Sequence, residues 1–234
     1  MPTDPGRLLR RAAAELIGTA FLVTAVIGSG IAAQRLSPND RGLQLLENSL
    51  ATGAALVALI LALQPVSASF NPVVTLVERA VRRVTGREAA VLVGAQVAGG
   101  LVGAVLANLM FDLDAVSISD HHRATGGHLL GEAMATFGLV VVVFGALRSP
   151  RVETVAFAVG GYITAAYWFT SSTSFANPAV TVARSLSDSF AGIAPSSVSA
   201  FVLMQLVGGA CGLAALLVLH PEVDEPTSLL EEVS

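Results

Sequence analysis

Ser69-Phe70-Asn71-Pro72-Val73-Val74-Thr75 and Phe175-Ala176-Asn177-Pro178-Ala179-Val180-Thr181 each set an Asn-Pro pair inside a hydrophobic run. A short helix-like stretch follows each pair. Asn caps the first free backbone N–H groups of a helix, and Pro at the first helical position has no N–H to leave unpaired. The two stretches after the pairs, about 72–83 and 178–187, are too short to span a bilayer. They read as two half-helices that point their positive ends into one shared cavity.

The rest of the chain places those half-helices in a membrane. Of 234 residues, 53% are hydrophobic and only 13% charged, with a mean hydropathy of +0.71. A soluble domain carries roughly a quarter charged residues, so a very hydrophobic soluble bundle is the weaker reading. All 13 basic residues are Arg. The single Cys, Cys211, excludes an intrachain disulfide, and its apolar surroundings make it a packing residue. A net charge of −4 gives no reason to expect nucleic acid as a partner. The basic N-terminus precedes an apolar run without a clear small-residue cleavage site, so that run reads as a first membrane helix rather than a signal peptide.

Six stretches are long and apolar enough to span: about 12–33, 43–64, 88–110, 128–147, 152–169 and 197–219. Half-helices are tolerated at membrane depth only where protein or a water-filled cavity surrounds them. A weak internal repeat orders these pieces. Glu15-Leu16-Ile17-Gly18-Thr19-Ala20-Phe21 opens the first half, and Glu132-Ala133-Met134-Ala135-Thr136-Phe137-Gly138 opens the second. Each half, about 12–110 and 128–219, carries three spans with its Asn-Pro element between the second and third. Three spans per half force opposite orientations, which is an inverted repeat. Arg7, Arg10 and Arg11, then Arg79, Arg82, Arg83 and Arg87, then Arg148 and Arg151 all fall on one side. That side is expected to be cytoplasmic, with both termini on it. The expected organisation is a cytoplasmic segment 1–11, a channel domain 12–219 and an acidic tail 220–234. Gly99, Gly100 and Gly103, Gly160 and Gly161, and Gly208, Gly209 and Gly212 read as close helix contacts in lipid.

With these features together, the chain resembles the major intrinsic protein family, the aquaporins and aquaglyceroporins. Two Asn-Pro elements correctly placed in inverted halves carry the resemblance, with the leading Glu of each half, over residues 12–219. The stretch Tyr167-Trp168-Phe169-Thr170-Ser171-Ser172-Thr173-Ser174-Phe175-Ala176-Asn177-Pro178-Ala179-Val180 looks most like a bacterial branch, some of whose members are linked to arsenic detoxification. The resemblance implies an all-α fold of six transmembrane helices and two re-entrant half-helices. It also implies an hourglass pore in each subunit of a homotetramer in the bacterial inner membrane. Asn71-Pro72-Val73 and Asn177-Pro178-Ala179 would be the pore motifs, with Val73 in place of the usual Ala. The two Asn amides would donate hydrogen bonds to a passing molecule.

A narrower filter is implied outward of the Asn pair. The family's filter Arg directly follows the second motif, and Val180 stands there. Arg184, one helical turn on, is not expected to substitute for it. Ser174 corresponds to the loop position of the filter and Thr52 to the span-two position. The span-five position falls among Tyr162, Ala165 and Ala166. Tyr167 and Trp168 read as interfacial aromatics. Loss of the Arg makes the filter wider and less polar on one side. That favours small uncharged solutes such as glycerol, arsenous acid and methylated arsenicals, with some water. Glu15 and Glu132 are expected to accept backbone N–H groups of the re-entrant loops rather than relay protons. His121, His122 and His128, near Asp112, Asp114 and Asp120, read as a polar loop rather than a metal site.

No cofactor and no chemical step are expected. A secondary transporter would need a coupling-ion site, and the spans offer only Glu15 and Glu132. A membrane enzyme would need a nucleophile–base pair or a His/Cys/Asp cluster at membrane depth. A structural role in stacked membrane contacts and an ordinary water channel that tolerates Val180 complete the alternatives.

Overall fold

The computed structural model describes residues 4–220; the expected acidic tail, apart from His220, and Met1 to Thr3 lie outside the described residues. Among the described residues eight helices follow one another: α1 Pro5–Leu36, α2 Arg41–Leu63, α3 Pro72–Ala80, α4 Gly86–Met110, α5 Gly126–Ala146, α6 Glu153–Phe169, α7 Pro178–Arg184 and α8 Pro195–Leu219. Five are long and apolar enough to cross a membrane, and α6, with 17 residues, sits at the lower limit of a span.

Local chemistry starts and stops these helices. Asp4 caps α1 by accepting from the Gly6 N–H with Pro5 behind it, so the helix begins ahead of residue 12. Thr85 and Glu88 form a capping box at the start of α4. The half-helix α3 stops before residue 83 because Arg82 turns left-handed (φ 61°) and the Arg83 N–H donates back to the Glu78 carbonyl at 2.8 Å. That is the six-to-one closure of a helix C-terminus. At the end of α7, Ser185 and Leu186 donate to Val182 and Ala183, tightening the last turn.

The packing repeats between halves. α1 lies along α4 as α5 lies along α8, α2 meets α6 across the halves, and each half-helix packs on the last helix of the other half. The close pairs depend on small residues. A Cβ at Gly99 would stand 2.3 Å from the Leu16 carbonyl oxygen of α1, and one at Gly208 would stand 2.2 Å from the Ala133 oxygen of α5. Large apolar side chains such as Phe21, Leu106, Phe157 and Leu203 face outward, as a lipid-facing surface requires. Cys211 is on this outer surface rather than packed inside the subunit.

Val73, in place of a smaller residue, finds its space in α8. A Cβ at Gly209 would meet Val73 Cγ1 at 2.4 Å. Gly209→Ala is therefore expected to cost about 1–3 kcal/mol through overpacking. The thermal midpoint in detergent should fall, and Val73→Ala in the same chain should restore it. An equal fall in the Val73→Ala background would show that Val73 is not the neighbour that matters.

Candidate functional site

Asn71 and Asn177 sit at the first position before their half-helices, and their side chains do two things at once. Asn71 Oδ1 accepts from the Val73 N–H at 2.9 Å; Asn177 Oδ1 accepts from Ala179 and Val180 at 3.0 and 3.3 Å. Each amide nitrogen then crosses to the other half. Asn71 Nδ2 donates to the Ala176 carbonyl, and Asn177 Nδ2 to the Phe70 carbonyl, both at 2.7 Å. A primary amide has two N–H groups, so each Asn keeps one for a molecule in the cavity.

The two carbonyl partners, Phe70 and Ala176, both have left-handed backbone at φ 47°. Non-glycine residues rarely adopt this region, and surrounding contacts must hold them there. Buried carboxylates supply the hold. Glu15 accepts from the Phe70 N–H at 2.7 Å, the Ser69 N–H at 2.9 Å and the Ser67 hydroxyl at 2.6 Å. Glu132 accepts from the Phe175 and Ala176 N–H groups, each at 2.9 Å. A glutamine backs each carboxylate. Gln96 of α4 donates to Glu15 and to the Thr75 hydroxyl; Gln205 of α8 donates to Glu132 and to Thr181. Gln96, Gln205, Thr75 and Thr181 were not among the residues expected at the site. A lone Gln in the matching span of each half, and a Thr four residues after each Asn, were the available signals.

One cavity runs past both Asn side chains. Four-residue steps along four helices build its wall: Leu22 and Val26; Thr52, Leu56 and Ile60; Leu139 and Val143; and Val155, Val159, Ile163 and Tyr167. Loop residues Ser69, Phe70, Ser174, Phe175 and Ala176 supply a polar strip of backbone against this apolar wall. Thr52, Ser174 and Val180 all line the cavity.

The α6 positions differ from expectation. Tyr162, Ala165 and Ala166 do not line the cavity. Tyr162 turns toward α5 and donates to the Ala135 carbonyl at 3.0 Å, Ala165 is exposed, and Ala166 is fully buried. The cavity face of α6 is the 155–159–163–167 stripe, so Tyr167 is the residue presented at its outer end. Its hydroxyl lies 3.1 Å from Thr52 Oγ1, and the side chain is buried instead of interfacial. Trp168, half exposed, donates from Nε1 to Ser49. Arg184 also lines the cavity. α7 is short enough that one further turn leaves a long side chain within reach.

The outer connections pack over this end. Arg123 donates to the Gly192 and Phe190 carbonyls, and burial lowers its pKa from the usual arginine value, with Glu132 and then Tyr167 acting in the opposite sense. His121 meets Asp188 at 3.2 Å and Asp120 at 3.7 Å. His122 pairs with Ser196 instead, and His128 stands in the first turn of α5, so the three histidines do not converge. Asp112 and Asp114 stand outside the His121 group.

Residues 5–154 match the model of the family described as Major intrinsic protein. The chain belongs to that family. Major intrinsic proteins are membrane channels rather than enzymes, which agrees with a multi-pass architecture around an internal cavity. The chain is 49% identical over 210 residues to "Aquaglyceroporin AqpS" of Rhizobium meliloti (strain 1021), covering 89% of each chain. Its fold superposes on the X-ray structure of the aquaglyceroporin from Plasmodium falciparum with a TM-score of 0.70 at 18% identity, over 93% of this chain and 99% of that one. The second likeness is one of fold.

Glu15→Gln and Glu132→Gln are expected to destabilise this major intrinsic protein alike, by roughly 2–3 kcal/mol each, because an amide NH2 would face a backbone N–H that now meets an oxygen. Thermal unfolding in detergent checks this. Equal stability of either variant with wild type would remove that carboxylate from the support of its loop.

Proposed function

We propose that this protein is a passive channel for small uncharged hydroxylated solutes, with glycerol and arsenous acid as the leading members and methylated arsenicals and water also passing. The observation that carries this reading is the cavity between Asn71 and Asn177, with one wall apolar and the other a strip of hydrogen-bonding groups. A polyol has carbon on one side and oxygens on the other, so it can lose water without losing all its hydrogen bonds. Each Asn offers a remaining N–H at the narrow middle. Val180 adds apolar surface where a filter Arg is expected from the family, and Thr52 and Ser174 retain hydroxyls there. The name of the Rhizobium meliloti relative, an aquaglyceroporin, agrees with this reading.

Arsenous acid, with three hydroxyls on a compact centre, presents the same donors and acceptors as glycerol. Arg placement supports both termini in the cytoplasm of a bacterial cell, with the channel in the inner membrane. The outward belt of apolar side chains, together with family membership, supports a homotetramer with one pore per subunit. The positive ends of α3 and α7 oppose cations at the middle, and the Asn donors orient a water so that it cannot pass a proton along a wire. A water-selective pore is the second reading, favoured by the entry of Tyr167 and Arg184 into the outer end.

Stopped-flow light scattering on proteoliposomes separates the two. Wild type should pass glycerol and arsenous acid, and Val180→Arg should slow both by roughly tenfold while water flux changes less. Fast water flux with no solute flux in wild type would establish the water pore instead.

A further inference from the structure

Arg184 is the most buried large side chain of the outer cavity, with 1% of its surface exposed. Among the described residues, no carboxylate lies within salt-bridge distance of it. Buried arginines are nearly always paired with a carboxylate, so an unpaired one facing a cavity calls for a reason. Its guanidinium stacks over the Phe175 ring at 3.4 Å, and its Nε donates to the Ala191 carbonyl. The Arg123 guanidinium approaches the same ring at 5.3 Å, so Phe175 serves two cations. Glu132, the carboxylate whose charge acts on both arginines, is occupied by two backbone N–H groups and Gln205. The positive charge at this end of the cavity is therefore not cancelled by a direct partner.

A second polar group stands in the cavity: Ser174, 3% exposed, has a buried Oγ with no hydrogen-bond partner among the described residues, and it lines the cavity with Arg184. Val180 stands four residues before Arg184 on α7, and both face the cavity.

We propose that Arg184 is the specificity-determining cation of the outer cavity: held by Phe175 and the Ala191 carbonyl, it donates to solute oxygens beside Ser174 and turns away small cations. This rests on the channel reading above and adds to it. The solute class narrows to neutral molecules with acceptor oxygens, and a cation barrier is present although Val180 provides none. A merely structural Arg184 would tie α7 to the 185–191 connection and leave ion selectivity alone.

Proteoliposomes carrying wild type, Arg184→Met or Val180→Glu are compared for glycerol flux and for uptake of radiolabelled guanidinium, a cation at every working pH. Wild type should exclude guanidinium. In Arg184→Met, guanidinium uptake should rise about tenfold while glycerol flux falls, because charge and donors are lost together. Val180→Glu keeps Arg184 and neutralises it across one helical turn, so it too should admit guanidinium. A rise in guanidinium uptake beside a fall in glycerol flux separates this from misfolding, which lowers glycerol flux and admits no guanidinium. Guanidinium entry through wild type would overturn the proposal. So would continued exclusion of guanidinium in Val180→Glu, or in Arg184→Met with glycerol flux reduced. Glycerol flux in wild type reports separately on the channel reading: its absence, with guanidinium still admitted by the variants, would remove glycerol and leave Arg184 in its role.

Discussion

Two crossed hydrogen bonds hold the middle of this protein together. Asn71 reaches the Ala176 carbonyl and Asn177 reaches the Phe70 carbonyl, so each half caps its own helix and binds the other half's loop. Non-helical backbone at membrane depth, where it turns away from the cavity, has no water to satisfy it, and each unmet N–H or C=O is costly. The crossing bonds meet that demand at the place where both helices must stop. Everything around them serves to keep the two loops at the required distance.

The carboxylates follow from the same constraint. Phe70 and Ala176 are bent into a left-handed conformation that their side chains disfavour. Their N–H groups point away from any helix ladder, and Glu15 and Glu132 receive them. A buried carboxylate is itself expensive, which explains why each has several donors, including a glutamine from the far helix of its own half. The chain of support thus runs from α4 through Gln96 to Glu15, to the loop, and across to the second half. The second half returns it through α8, Gln205 and Glu132. Close approach of α1 to α4 and of α5 to α8, at glycines, keeps those glutamines within reach.

The cavity chemistry is a by-product of this frame. Helix faces advancing in steps of four present an apolar wall, while the loops that cannot form helix present their polar backbone. In the proposed function, a molecule with one oily and one hydroxylated side is what matches both. At the outer end the frame also buries Tyr167 and Arg184, the first against Thr52 and the second against Phe175. Side chains from four separate segments, α2, α6, the connection after it and α7, meet there.

Local chemistry in the sequence was enough to determine the membrane class, the six spans, the two half-helices and the inverted order. Hydropathy runs, Asn caps and Pro at the first turn act within a few residues, and 3.6-residue periodicity needs no partner. Asn71, Asn177, Glu15 and Glu132 could be found because each is a polar residue in an apolar setting with a counterpart in the other half. The rotational setting of α6 was not legible, because the length of chain between Phe169 and Asn177 does not reveal how the loop is folded. Tertiary structure alone turned Tyr167 inward and sent Tyr162 to α5. It also brought Arg184 into the cavity, since a long side chain one turn along a short helix can reach back once its ring partner Phe175 and the Ala191 carbonyl are in place. Those partners meet only after the outer connections fold over α7, and no local pattern records that meeting.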